Sequence, residues 1–261
     1  MKLTLRNALP MLMVVAISYS ACKKSENKPS TSTTTTNASV EVASSAIAKN
    51  LAQSLAGSFG GASVKDGVNP SANFSTSTKL KIQSNDYHCG FYVDSSLNLN
   101  FNQGDTLKAL KTGGVSYFFV CNNSKTIGYD LVDSVKTVGS GPGYSFTYAI
   151  VQNYSVRGLN TNNSNFSLNG TMKAFTDNEY TKYKTFSAVH NTYKFTNLYV
   201  HGDDNFDITS GDATFESTGK TNGGGWDYSG TLHFLGNHKV QMTFLNHQYL
   251  VDMITGEVKP N

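Results

Sequence analysis

The chain has 261 residues, 15% of them charged, and a formal net charge of +3. Its 21 basic residues are scattered, and removing Lys2 and Arg6 with a leader leaves 19 against 18 acidic residues. That balance excludes the concentrated positive field of a nucleic-acid-binding surface.

Residues 1–21 form the first element. Lys2 and Arg6 precede an apolar run at 8–17, and Ser18, Tyr19, Ser20 and Ala21 follow. A charged start, a short apolar middle and a small-residue exit are the layout of an export signal. The run is about half the roughly 20 residues that a membrane-spanning helix requires. Small residues directly before Cys22 resemble the lipobox of bacterial lipoproteins. The resemblance implies cleavage before Cys22 and acylation of its sulfur, with Tyr19 standing where the family carries an aliphatic residue. Two or more acyl chains give stable anchoring where one gives marginal binding. The other reading is an ordinary secretory signal, with Cys22 incidental.

Residues 22–39 continue as CKKSENKPSTSTTTTNAS. This stretch has no apolar face and no helix or strand period, so it reads as a disordered tether. A single globular domain is expected over 40–261. It opens with a helix at 40–59, where Val40, Ala43, Ile47, Leu51, Leu55 and Phe59 recur at three- and four-residue steps. Ser39 is placed to cap its start, and Gly60 and Gly61 to end it.

Only strand signals follow. Plentiful Tyr and Phe (14 and 15) among 23 Gly suit antiparallel strands with many turns. Apolar alternation marks 78–84, 96–101, 115–121, 126–132, 145–159, 166–175, 193–200, 206–217 and the block 228–253. GSGPG (139–143) reads as a hairpin turn. In the last block, a turn at Gly236, Asn237 and His238 pairs Phe234 with Val240 and Leu232 with Met242. A turn at Asn246 and His247 pairs Phe244 with Tyr249 and Met242 with Val251. Both turns put the same face inward. Gly170, Gly211 and Gly230 recur inside strands, which marks bends. The expected fold is mainly β, with the amphipathic helix packed on a curved antiparallel sheet of about ten to twelve strands. The sheet is a sandwich or an incomplete barrel.

The lipobox-like Cys22, the Ser/Thr tether and the segments LAGSFGG, HCGFYVD, VQNYSVRGL, DITSGDATFES and GTLHFLGNHKVQMTF resemble lipoproteins of Bacteroidota. The resemblance implies an anchored β protein of the cell envelope and no particular activity. Asp105-Thr106-Leu107 and Asp133-Ser134-Val135 also resemble the short O-glycosylation sequon of that group.

Three cysteines is an odd count for an exported chain. Lipid on Cys22 leaves Cys89 and Cys121, which an oxidising compartment favours as a disulfide over two buried thiols. Asp203, Asn205 and Asp207 match the start of a calcium loop, but Ile208 stands where its glycine belongs and Thr214 where its glutamate belongs. They form a half-motif that more often makes a solvated turn. The six histidines lack zinc-ligand spacing. Trp226, beside three glycines, could stack on a sugar ring but more often packs into a core. No nucleophile elbow appears, and no cofactor is implied. The expectation is a membrane-anchored envelope lipoprotein, placed in the outer membrane, with a non-catalytic binding or structural role. Its partners would be the membrane, through lipid, and a glycan or envelope protein. The alternatives are a glycan-active or other hydrolase whose carboxylates converge only in the fold, and a carrier holding an apolar ligand in a barrel cavity.

Overall fold

The computed structural model describes residues 38–64, 89–90, 92–158, 165–201 and 207–261. The leader, Cys22, residues 22–37 of the tether and the predicted strand 78–84 lie outside the described residues. All the described residues belong to one compact unit, and none of their helices is long and apolar enough to cross a membrane.

Helix α1 spans Val40–Leu55. Its start is as predicted: Ser39 is extended, and its hydroxyl accepts the Val42 amide at 3.3 Å. Its end comes four residues before the predicted Phe59. Gly57 takes φ +71°, the Gly57 amide donates to Ser54 O (3.1 Å), and the Ser58 amide donates to Gln53 O (2.8 Å). This pair of bonds is a Schellman ending. It uses Gly57, because only glycine enters the left-handed region without strain, so Phe59 lies in the turn that follows. Ala43, Ile47, Leu51 and Leu55 are buried as expected, and Ser44, Ala48, Asn50, Ala52 and Ser54 are buried too. The helix is therefore covered on more than one stripe.

Eleven strands follow: β1 Tyr92–Asn102, β2 Lys108–Asn122, β3 Lys125–Gly141, β4 Tyr144–Arg157, β5 Asn165–Tyr180 and β6 Thr185–His201. Next come β7 Asp207–Thr221, β8 Gly224–Gly236, β9 Lys239–Phe244, β10 His247–Asp252 and β11 Val258–Pro260. They form one antiparallel sheet in sequence order, so each hairpin places the next strand beside the last. Among the described residues β1 and β11 are its two edges, and the sheet is not closed into a barrel.

The sheet curls around α1. The helix and the residues flanking it touch strands far apart in the order. Gly60 lies against Lys111 on β2, the Tyr193 hydroxyl on β6 donates to Ile47 O (3.1 Å), and the Ala38 amide donates to Gly225 O on β8 (2.9 Å). Lys49 packs against Gly256, just past β10. Flat, the strands from β2 to β10 would span about 38 Å, whereas a 16-residue helix is about 24 Å long. Only a curved sheet brings both ends to one helix. Strain is relieved at bulges, where the register shifts between Leu168 and Gly170 on β5 and around residues 196–200 on β6. Gly170 sits at φ +146°, and a side chain there would run into Asn153 O of β4.

The inward face is a dense aromatic core. Tyr117, Phe119, Tyr129, Tyr154, Phe166, Tyr193, Phe195, Phe215 and Phe234 are all buried around Ile47 and Leu51. Below α1 the rings interlock, as with Tyr117 edge-on to Tyr129 at 5.5 Å between centroids.

The predicted pairings of Phe234 with Val240 and Leu232 with Met242 form, but Gly236 still pairs with Lys239, so the turn is Asn237 and His238 alone and the register shifts between Phe234 and Gly236. The last hairpin is shifted by two residues. Phe244 faces His247, Met242 faces Tyr249 and Val240 faces Val251. The turn is Leu245 and Asn246, at φ +49° and +63°, the two positive values that a type I′ hairpin demands. A two-residue shift keeps every side chain on its face, so the predicted inward row stands and only its partners change.

Candidate functional site

Of the predicted site residues that the structure describes, Cys89 and Cys121 come together, while Asp207 and Trp226 lie elsewhere in the fold. Cys89 and Cys121 stand at disulfide distance with Cα atoms 5.4 Å apart, joining the approach to β1 with the end of β2. Asp203 and Asn205 lie outside the described residues. Asp207 is committed to the β8–β9 turn, where its carboxylate accepts the backbone amides of Asn237 and His238. Among the described residues no group of three or more His, Cys, Asp or Glu side chains converges. Trp226 is buried. Its indole N–H donates to Ser217 Oγ at 2.9 Å, and its ring fills the space over Gly219. The indole is part of the core under α1, beside Ala43 and Val189. In the two sequon-like segments, Asp133 is fully buried, while the Thr106 hydroxyl donates to Gln103 O within the β1–β2 turn (2.7 Å).

A buried polar joint lies where the segment after α1 meets the sheet. Asp133 on β3 and Gln152 on β4 are direct cross-strand partners on the inward face. The Ala62 amide donates to Asp133 Oδ2 (2.6 Å) and to Gln152 Oε1 (2.7 Å). Gln152 Nε2 donates back to Ala62 O (3.0 Å) and to the Tyr154 hydroxyl (3.2 Å), which donates to Met172 Sδ (3.3 Å). Burial pushes the Asp133 carboxyl up to about 7, against the opposing pull of the Ala62 amide and the Lys111 charge. Burial likewise holds the Lys111 ammonium below the ordinary lysine value, and Asp133 works against that shift. Asp133 Oδ1, Asn50 Nδ2, Ser54 Oγ and Asn191 Oδ1 are buried without a hydrogen-bond partner, each at a cost of about 1–3 kcal/mol. The joint is sealed beneath residues 60–62, so what it does is fasten them to the sheet.

An open trough of about 450 Å³ runs across the outward face at the far ends of β2–β5. Two neighbouring cross-strand rows build it. One runs Leu110, Val138, Thr147, Asp177 from β2 to β5, and the next runs Lys108, Ser140, Ser145, Glu179. The floor side chains on β3 and β4 are short, and those at either end are long or charged, which gives the depression its walls. Turn-to-turn bonds hold the strand ends: the Thr181 amide donates to Gly143 O (2.9 Å), and the Tyr144 hydroxyl donates to Thr106 O (3.0 Å).

Sequence reasoning missed both features. The joint had a local signal, because Asp133 and Gln152 are polar residues in phase with apolar rows (Leu131 and Val135; Ile150 and Tyr154). The trough had none, since its rows join residues up to 71 positions apart, from Lys108 to Glu179.

With this geometry in place, the class is an open antiparallel β-meander coiled around one helix. Comparison with known proteins finds no match: no family model, no curated protein and no solved structure matches the chain.

Proposed function

We propose that the chain is an exported protein of the bacterial cell envelope, moored to the outer membrane by lipid on Cys22, whose folded part binds a ligand or partner rather than catalysing a reaction. The leader at 1–21 and the tether support the mooring. The observation that carries the binding role is the filled concave face. Ile47 and Leu51 of the chain's own helix are fully buried against the sheet, so its interior is core. The surface left for recognition is the outward face and the rims. A carrier would need that interior for its cargo, which makes binding on the outward face the better-supported reading.

The test is mass spectrometry of the mature amino terminus together with detergent phase partition of the full chain. An acylated Cys22 and recovery in the detergent phase are expected, with Cys22→Ala moving to the aqueous phase. A wild-type protein that begins elsewhere, unmodified and water-soluble, rules the anchor out.

A further inference from the structure

The trough on the outward face has its charges sorted by wall. Lys108 stands on the β2 side, and Asp177 and Glu179 stand side by side on β5. Some charged side chains elsewhere are paired: Arg157 with Asp130 at 2.7 Å, His233 with Asp212 at 2.7 Å, and Lys239 with Asp252. The three trough charges make no ion pair or side-chain hydrogen bond among the described residues. Between the walls lie the hydroxyls of Ser140, Ser145 and Thr147, and beside Lys108 the ledge formed by Leu110 and Val138, 46% and 44% exposed.

Three strand spacings separate the walls, about 14 Å, and an extended chain advances about 3.3 Å per residue, so about four residues bridge them. A ligand that satisfies the whole trough carries a cation at one end and an anion at the other. Between them it offers polar groups for the hydroxyls and a small apolar group for the ledge. An extended peptide with free ends has this distribution. Its amine faces two carboxylates, its peptide groups face hydroxyls that donate and accept, and its last side chain meets the ledge next to the carboxylate. The volume falls in the usual range for small-ligand sites, about 300–1,000 Å³. The bonds between the 102–107, 141–144 and 181–184 turns hold the walls in place before any ligand arrives, which lowers the ordering cost of binding.

We propose that this trough is a binding site for short peptides with free termini, the amino end held by Asp177 and Glu179 and the carboxylate by Lys108. The inference rests on the binding role proposed above and names its ligand class.

The test uses the full chain in detergent and tetra-alanine as the probe, followed by calorimetric titration at low ionic strength. Free-ended tetra-alanine is expected to bind, and each terminal cap, N-acetyl or C-amide, to weaken it about two- to fivefold, the worth of an accessible charge pair. The variants assign the ends. In Asp177→Asn/Glu179→Gln the N-acetyl cap should no longer matter while the C-amide cap still does, and in Lys108→Met the reverse should hold. Unchanged thermal midpoints confirm that these surface variants are folded. No binding up to about 10 mM, or cap effects that persist unchanged in both variants, overturns the site. A failure here leaves the amino-terminal mass and the phase partition untouched, so the two readings fail separately.

Discussion

Asp133 on β3 and Gln152 on β4 face each other across the strand pair and receive the same amide proton, that of Ala62, at 2.6 and 2.7 Å. Two acceptors converging on one donor fix the chain just past α1, and Gln152 completes the clamp by donating to Ala62 O. A fully buried carboxylate is a costly choice for such a clamp. Its second oxygen has no hydrogen-bond partner, and burial resists its charge.

This cost makes stability depend on pH. The folded-state value of Asp133 is raised to about 7 from an ordinary 3.8. Its favourable contribution is therefore complete below about pH 4 and is lost as pH rises toward 7. Asp133→Asn keeps the shape and an acceptor for Ala62 but cannot ionise. Thermal melts from pH 4 to 8 should show the wild type losing stability relative to the variant, by about a few kcal/mol in total, with the loss levelling off above pH 7. Parallel curves across that range would mean that Asp133 enters the fold with no ionisation penalty.

Helix α1 acts as core. Leu51 is fully buried within the main cluster, while Val42 on the same helix is 44% exposed. Leu51→Ala should cost about 2–5 kcal/mol, the range for a deleted core leucine. Val42→Ala should stay within about 0.5 kcal/mol. Urea unfolding of both variants makes the comparison, and equal small losses would show that the helix is seated loosely.

Much of this architecture can be read from residue order. The inward rows, the cap at Ser39 and the pairing of Phe234 with Val240 and Leu232 with Met242 follow from local chemistry and a two-residue period. The last hairpin is harder, because moving its register by two leaves Met242, Phe244, Tyr249 and Val251 inward either way. Its turn also places Leu245 at a positive φ, which leucine does not advertise. The end of α1 was ambiguous for a related reason: Gly57, Gly60 and Gly61 can all stop a helix, and the bonds of Ser58 decide among them. The joint depended on noticing polar residues in phase with apolar ones. The trough exists only through pairing across four strands, and no local pattern reports it.

Gly219 and Trp226 are cross-strand partners on β7 and β8, and the indole occupies the space that a side chain at 219 would need. Gly219→Ala should destabilise by about 1–3 kcal/mol through overpacking. Trp226→Ala should cost more, about 3–5 kcal/mol, since it empties core volume and strips Ser217 of its donor. Together the two changes should cost less than their sum by about 1 kcal/mol, because the smaller residue makes room for the methyl group. A double-mutant cycle from chemical denaturation measures this coupling, and strict additivity would place the indole away from Gly219.

The Cys89–Cys121 crosslink joins residues 32 apart in sequence, and β1 and β2 already pair along the whole of β1, from Tyr92 opposite Phe118 to Asn102 opposite Lys108. The native strands are thus held by their own ladder, and the bond acts chiefly on the unfolded chain by removing the freedom of that loop. In the chain-entropy account a loop of this length is worth about 3–4 kcal/mol. Urea unfolding with and without reductant should show the unfolding free energy in water lower by about that amount in the reduced protein. The unfolding slope should be steeper after reduction, because the freed chain exposes more surface. Cys89→Ala/Cys121→Ala should reproduce the reduced protein and ignore reductant. If the oxidised and reduced midpoints coincide, the loop is already confined in the unfolded ensemble, and the β1–β2 ladder alone secures that end of the sheet.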